Sequence, residues 1–420
     1  MNYARGLSVT ALATGLTFAL GFANQALLAR MLGEEGRGAL AAVATTVLLA
    51  TLVIGEWVNR GNTFIAGHQP TRASSLLSLT LVWTALLSVV FAIGLWLAGP
   101  WLAAAISDQL SESLSVPVLW WAGVLTILLV VQRGAQAILL GLDRLRLYNV
   151  VPVLFIVVYL GGNALLAATT GTPDILHVLG VWCVAVALSG VVAIAACGRP
   201  VLLDPRPLLR QTAKVGSRGA VSATLVFLMF RSVIYLVGAL MSLEALGVFT
   251  IAVIIAEMIQ RLPNIAGTVL LPKVMAGQDA DHTMSLRIGQ ITLALSLLVS
   301  AAVVLFGRFF ITVVFSAPYA GAYEPLCLML PGLVASGFAS ILNSKLAATG
   351  YPPVTLWAPA VALVLNVGLN YRLIPDWGLA GAATSTSVAY IFWAVAITVA
   401  YRQHTGLQWH RLLATSADHR

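Results

Sequence analysis

Apolar stretches long enough to cross a bilayer follow one another along almost the whole chain. A helix needs about 20 consecutive apolar residues to span the hydrocarbon core. Twelve stretches meet that length, at roughly 7–29, 39–66, 75–98, 117–141, 150–170, 175–197, 217–240, 245–272, 286–314, 325–349, 353–374 and 378–401. In lipid each segment must satisfy its own backbone donors and acceptors, so stretches of this kind fold as helices. Charged residues make up 9% of the 420, against about 25% in a soluble domain. The expected fold is an all-α membrane protein of about twelve transmembrane helices. The longest connections, 99–116 and 198–216, leave no room for a soluble catalytic domain. The first stretch exceeds a signal-peptide core and is read as a retained span.

Lysine and arginine favour cytoplasmic loops. With the N-terminus inside, fifteen of them fall in cytoplasmic loops and tails, Lys345 included, and four (Arg30, Arg37, Arg308, Arg372) fall on the opposite side. That bias predicts two cytoplasmic termini. It also explains the net charge of +8 without invoking nucleic acid. Trp96, Trp101, Trp120, Trp121 and Trp377 then gather at the outer boundary as an aromatic belt. Arginine exceeds lysine by 20 to 3, as in GC-rich bacterial or archaeal genomes, and the expected location is a bacterial or archaeal plasma membrane.

The basic, proline-rich stretch 198–216 divides six spans from six. The expected organisation is residues 1–197, a cytoplasmic linker at 198–216, residues 217–401, and a cytoplasmic tail at 402–420. The halves echo each other. Pro152, Gly161 and Asn163 recur 207 positions later as Pro359, Gly368 and Asn370. Glu35 and Gly38 recur 209 positions later as Glu244 and Gly247, and Gly141 recurs as Gly350. Glu56-x-x-Asn59-Arg60 has its counterpart in Glu257-x-x-Gln260-Arg261. Six spans per half means both halves point the same way, and a parallel repeat places its substrate site between them.

Six ionisable residues lie inside the apolar stretches: Arg60, Arg133, Arg231, Arg261, Glu56 and Glu257. Charge at that depth is costly and is usually kept for a pathway or a ligand. Four guanidiniums against two carboxylates favour an anion. Guanidinium is a planar fork that binds phosphate oxygens in pairs and keeps its charge at any physiological pH. Each glutamate precedes an arginine by four residues, so Glu56 is expected to pair with Arg60 and Glu257 with Arg261. Arg231 has no acid in its own span and sits too deep to snorkel. Pro331 with Gly332, and Pro359, are expected to interrupt spans ten and eleven. Asn24, Gln25, Gln132, Gln136, Asn163, Asn343, Asn366 and Asn370 could bind sugar hydroxyls but are read as glue between helices. Phosphate loops, zinc-protease motifs and Ser/His/Asp sets are absent from the sequence, so the driving force is expected to be an ion gradient, the membrane potential or consumption of product.

The run Leu365-Asn366-Val367-Gly368-Leu369-Asn370-Tyr371-Arg372-Leu373-Ile374-Pro375-Asp376-Trp377-Gly378-Leu379-Ala380-Gly381-Ala382-Ala383-Thr384 resembles spans eleven and twelve of polysaccharide flippases in the multidrug/oligosaccharidyl-lipid/polysaccharide (MOP) exporter superfamily. Ala29 to Gly38 is similar to that family's first turn, and Gln136 to Asn149 to its exit from span four. The resemblance covers the chain in length, span count and linker position. It departs from the lipid II flippases, which usually carry two further spans. It implies a V-shaped, MATE-like pair of six-helix lobes around a cationic cavity. The implied activity is movement of an isoprenoid-pyrophosphate-linked oligosaccharide from the inner to the outer leaflet by alternating access. On that reading Arg231, Arg261, Arg133 and Arg60 bind substrate. Glu257 and Glu56 orient the arginines and couple to protons or sodium. The protein is then a transporter and a monomer, with no catalytic residue, metal or cofactor. Its partners are membrane lipids and the lipid-linked oligosaccharide, with polysaccharide polymerases and glycosyltransferases as further candidates. The rival expectations are a drug/cation antiporter of the same superfamily and a membrane enzyme acting on lipid-linked sugars.

Overall fold

The structure, a computed structural model, describes the backbone of residues 3–106, 115–171, 173–201, 205–275, 283–348 and 352–406; within these, side chains are not described at 3–11, 102–106, 205–206, 261–275, 283–285 and 347–348. The described backbone is helical apart from turns. In chain order the helices are α1 (Tyr3–His68), α2 (Ala73–Leu79), α3 (Ala85–Ile106), α4 (Val116–Gly141), α5 (Leu145–Thr169), α6 (Ile175–Cys197), α7 (Pro205–Leu240), α8 (Leu243–Met275), α9 (Thr283–Val314), α10 (Tyr323–Ala348) and α11 (Val354–Thr405). A π-helical turn at Thr80–Thr84 joins α2 to α3. Taking Pro70–Trp101 as one, ten helices among the described residues are long and apolar enough to cross a membrane.

Two of the ten are of double length, which reconciles ten helices with the twelve stretches of the sequence. Helix α1 is broken at Gly33 (φ 67°, ψ −173°) and α11 at Gly378 (φ 55°, ψ −133°). Backbone of that kind is open to glycine and strained for other residues. Each break is a single residue, where the sequence reading expected a loop around 30–38 and another around 375–377.

The chain forms two compact units, Met1–Thr224 and Leu225–Arg420, divided inside α7. The expected linker at 198–216 is therefore helical from Pro205 onward. In the first unit α4 packs against α1, α3 and α6, and α5 packs against α1 and α6. Its apolar core brings together Leu28, Val47, Leu125, Leu129, Ile156, Val178 and Val186. In the second unit α10 packs against α8, α9 and α11.

Several of the amides singled out in the sequence bond within the protein, most of them from one helix to another. Asn163 donates to Asn24 at 2.9 Å, Gln132 to Ser189 at 2.6 Å and Gln136 to the Tyr148 carbonyl at 3.2 Å. Asn366 donates to the Met229 carbonyl at 3.2 Å, and Asn370 donates to Asn366. Two of the three pairs at the 207-residue offset behave alike. Asn163 and Asn370 are both fully buried, and Gly161 and Gly368 both face open space.

Two expectations are corrected. Pro331 and Pro359 do not interrupt their helices; α10 and α11 run through them. Beside Pro331, the Gly332 N–H donates to Ser387 Oγ on α11 at 2.9 Å, so a neighbouring helix supplies a partner where proline disturbs the ladder. Arg37 and Lys345, counted in loops, are buried at 5% and 6% exposure. Arg37 donates to Gln25 Oε1 at 2.5 Å across the Gly33 break. Moving one residue from each side of the count leaves fourteen basic groups against three, so the bias survives.

Candidate functional site

The intramembrane charges form one cluster in each unit. In the first unit, small residues let α1 and α4 approach closely. A Cβ on Gly55 would lie 3.3 Å from a Val130 methyl, and one on Gly141 would lie 2.5 Å from the Thr63 carbonyl oxygen. This contact brings the part of α1 bearing Glu56 and Arg60 beside the part of α4 bearing Arg133. Arg60 Nε donates to Glu56 Oε1 at 2.8 Å, with the two side chains 35% and 20% exposed. This is the expected pairing one helical turn apart.

Arg133 is half-buried and lies within Coulombic reach of Glu56. Among the described residues it has no carboxylate at ion-pair distance. Its neighbour Gln132 is buried against α6 through Ser189. The first unit therefore places two guanidiniums around one carboxylate, a local charge of +1. Asn62, also on α1, is taken up by structure: it donates to Thr80 Oγ1 at 2.8 Å and to the Gly134 carbonyl at 3.3 Å.

The second unit uses a different geometry. Arg231 on α7 forms an ion pair with Glu257 on α8, with side chains 22% and 39% exposed. The sequence offered Arg261 as the partner of Glu257 and none for Arg231. Proximity along one helix is visible in a sequence, whereas a contact between helices 26 positions apart depends on packing. Gln260, three residues after Glu257, donates to Ser336 Oγ and to the Leu333 carbonyl on α10. The backbone of Arg261 is helical within α8, and its side chain lies outside the described residues.

Tyr390 on α11 is a residue the sequence reading missed. It is 2% exposed, packs with its ring tilted against Phe230 at a centroid distance of 4.5 Å, and places its hydroxyl 3.4 Å from the Phe230 carbonyl as donor. Both Arg231 and Glu257 lie within Coulombic range of it. Trp393 meets Phe230 edge-on at 6.3 Å. The Arg231–Glu257 pair thus rests beside an aromatic group built by α7 and α11. An uncharged tyrosine in an apolar span carries no signal that would single it out.

Chemically, these clusters offer fixed guanidiniums that are partly open and partly neutralised by carboxylate. An incoming phosphate oxygen could compete with that carboxylate for the same donors.

A sequence profile described as polysaccharide biosynthesis protein matches residues 3–277. No curated protein sequence matches the chain. Solved structures do. An inward-facing multidrug resistance MATE family transporter of the MOP superfamily aligns with a TM-score of 0.72 and 16% identity, covering 96% of each chain. The lipid II flippase MurJ, inward closed, aligns with a TM-score of 0.76 and 13% identity, covering 93% of this chain and 87% of that one. A MOP superfamily transporter from Pyrococcus furiosus, described as having a binding pocket of reverse polarity that suggests a different function, aligns with a TM-score of 0.66 and 13% identity, covering 97% of this chain and 95% of that one. At these identities the likeness establishes the fold.

Proposed function

The chain belongs to the polysaccharide biosynthesis protein family, and from that membership we propose that it flips an isoprenoid-pyrophosphate-linked oligosaccharide from the inner to the outer leaflet by alternating access. It is a multi-pass membrane protein with the fold of MOP-superfamily transporters. The surplus of guanidinium over carboxylate within its spans carries the reading. Four arginines and two glutamates lie there, with the buried Lys345 as a further cation, and the Glu56–Arg60–Arg133 cluster has an arginine beyond its one carboxylate. A pyrophosphate brings the matching charge and the oxygen geometry that guanidinium binds two at a time.

Arg133, Arg231, Arg60 and Arg261 hold the headgroup in this scheme. Glu56 and Glu257 keep the arginines oriented while the site is empty and yield them to phosphate when substrate arrives. Coupling to protons or sodium acts through the same two carboxylates. The sugar-lipid headgroup enters from the cytoplasmic leaflet while its tail stays in the bilayer. The protein works as a monomer without cofactor, both termini cytoplasmic, in a bacterial or archaeal plasma membrane. Its functional neighbours are glycosyltransferases and a polysaccharide polymerase.

The structural likeness to a multidrug MATE transporter favours one rival, a drug/cation antiporter. A cationic substrate calls for the opposite charge balance. Deletion of the gene tests the two together. The flippase reading expects lipid-linked oligosaccharide to accumulate on the inner leaflet with drug susceptibility unchanged. Increased drug susceptibility with normal surface polysaccharide would overturn it.

A further inference from the structure

Helices α4, α5 and α6 leave a groove in the first unit that the charge cluster does not use. It has a volume of about 490 Å³ and is walled by Trp121 of α4, Val158 and Gly162 of α5, and Gly180, Val181 and Val184 of α6, with His177 near the start of α6. Apart from His177 and the indole N–H of Trp121 the lining is apolar. Trp121 precedes Arg133 by twelve residues on α4, about 18 Å along the helix.

Two glycines shape the recess. A Cβ on Gly162 would lie 2.5 Å from a Val181 methyl, so α5 and α6 approach closely there. The edge of the Trp121 ring lies over Gly180, 3.8 Å from where a Cβ would stand. The floor is held from behind. Val178, Leu179, Cys183 and Val186 belong to the core of the unit, and Tyr159 stacks on Trp182 with centroids 5.8 Å apart. The groove is thus a fixed feature of the packing.

The length of α6 gives its depth. Twenty-three residues at about 1.5 Å each make roughly 34 Å, close to the hydrocarbon thickness of about 30 Å. Ile175 and Cys197 therefore lie near the two membrane boundaries. Leu176 to Val184 covers about 12 Å, from one boundary almost to the midplane, which is the depth of one leaflet. Val184 on the groove and Val191 beyond it share one side of α6 and are 54% and 63% exposed. Apolar side chains exposed at this depth face acyl chains.

We infer that the groove is a docking site for one acyl chain of a bilayer phospholipid, held in place rather than exchanging freely with its neighbours. An apolar recess stays free of water, and an empty one forfeits the atom contacts of its lining. A chain between Trp121 on one wall and Val158 and Val181 on the other recovers those contacts on three helices, where a chain against a convex surface meets one. The match to a single leaflet selects the occupant. An acyl chain whose headgroup sits at the boundary beside His177 ends within the groove, whereas a longer isoprenoid tail would run past Val184. The proposal is independent of which molecule the protein transports.

The test uses the full-length protein with the photo-crosslinker p-benzoylphenylalanine in place of Trp121, or in place of Trp120 as the control. Trp120 is exposed and packs against Trp96, outside the groove. Each protein is purified from its membrane, washed in detergent to strip loosely held lipid, irradiated and read by mass spectrometry. A phospholipid adduct through its acyl chain is expected at position 121, about tenfold above position 120. Gly180→Leu fills the recess where an added Cβ meets no backbone, and Val184→Phe fills it from an exposed wall. Each is expected to reduce the adduct at position 121 to the level of position 120. Equal labelling at the two positions, an adduct on an isoprenoid lipid or on the protein's own chain, or a full adduct in the filled variants would overturn the proposal.

Discussion

Arg231 of α7 and Glu257 of α8 form an ion pair that joins two helices of the second unit. Each residue would be costly alone at that depth. Together they make a neutral pair, and a guanidinium carries five donors, more than one carboxylate can take. Because Glu257 is more than a third exposed, solvent screens the interaction, and its contribution to stability is roughly 1–2 kcal/mol rather than the 3–5 of a sealed pair. Arg231→Ala is expected to lower Tm by only a few degrees while export of polysaccharide falls at least 100-fold. Arg231→Lys, which keeps the charge and loses the fork, should restore less than a tenth of export. Surface polysaccharide in a complemented deletion strain, with protein levels matched, checks both.

Glu56 is expected to act as a brake on anion binding. Glu56→Gln leaves Arg60 and Arg133 with no carboxylate between them and raises the local charge from +1 to +2. Binding of a short-chain prenyl pyrophosphate, measured by calorimetry, should tighten by about 10-fold, in line with one added charge contact of roughly 1.4 kcal/mol. Turnover should fall because release slows. Arg133→Ala should weaken the same binding by a similar factor.

Close packing makes a separate prediction. A Cβ on Gly216 would lie 2.0 Å from the Trp57 carbonyl oxygen, and one on Gly332 would lie 2.6 Å from Ser387 Cα. Both obstacles are backbone and cannot swing aside, so Gly216→Ala and Gly332→Ala are expected to destabilise by about 1–3 kcal/mol each. Gly161 and Gly368 face open space. Alanine there should be neutral or stabilise by up to about 1 kcal/mol through helix propensity. Thermal unfolding of the four variants in one detergent separates the two classes.

Gly33 and Gly378 should tolerate no side chain for a conformational reason. Both have positive φ inside otherwise continuous helices, a conformation that costs other residues about 1–3 kcal/mol. Gly33→Ala is expected to lower Tm although no atom lies within 4 Å of its added Cβ. An unchanged Tm would mean that the break does not depend on glycine.

The spans were legible because lipid leaves the backbone little choice: a long apolar stretch must be a helix. The Glu56–Arg60 pair was legible because i, i+4 spacing is visible in sequence. The Arg231–Glu257 pair was hidden, since it depends on how α7 and α8 pack. Arg37 was misplaced in a loop because a charged residue beside Gly33 looks like a turn, and only its bond to Gln25 across the break shows that it is enclosed. The start of α7 was read as linker from its prolines and charge. Pro205 and Pro207 occupy its first turn, where proline is tolerated, and the residues that follow are amphipathic.

The most direct measurement is flipping in proteoliposomes that contain the purified protein. Two fluorescent substrates with the same sugar and isoprenoid tail would be compared, one linked by pyrophosphate and one by an uncharged linker. The account predicts rapid movement of the pyrophosphate-linked lipid by the unaltered protein, none by Arg231→Ala, and little movement of the uncharged analogue by either. Equal transport of the two lipids, or full transport of the pyrophosphate-linked lipid by Arg231→Ala, would contradict the claim that intramembrane guanidinium recognises a phosphorylated headgroup.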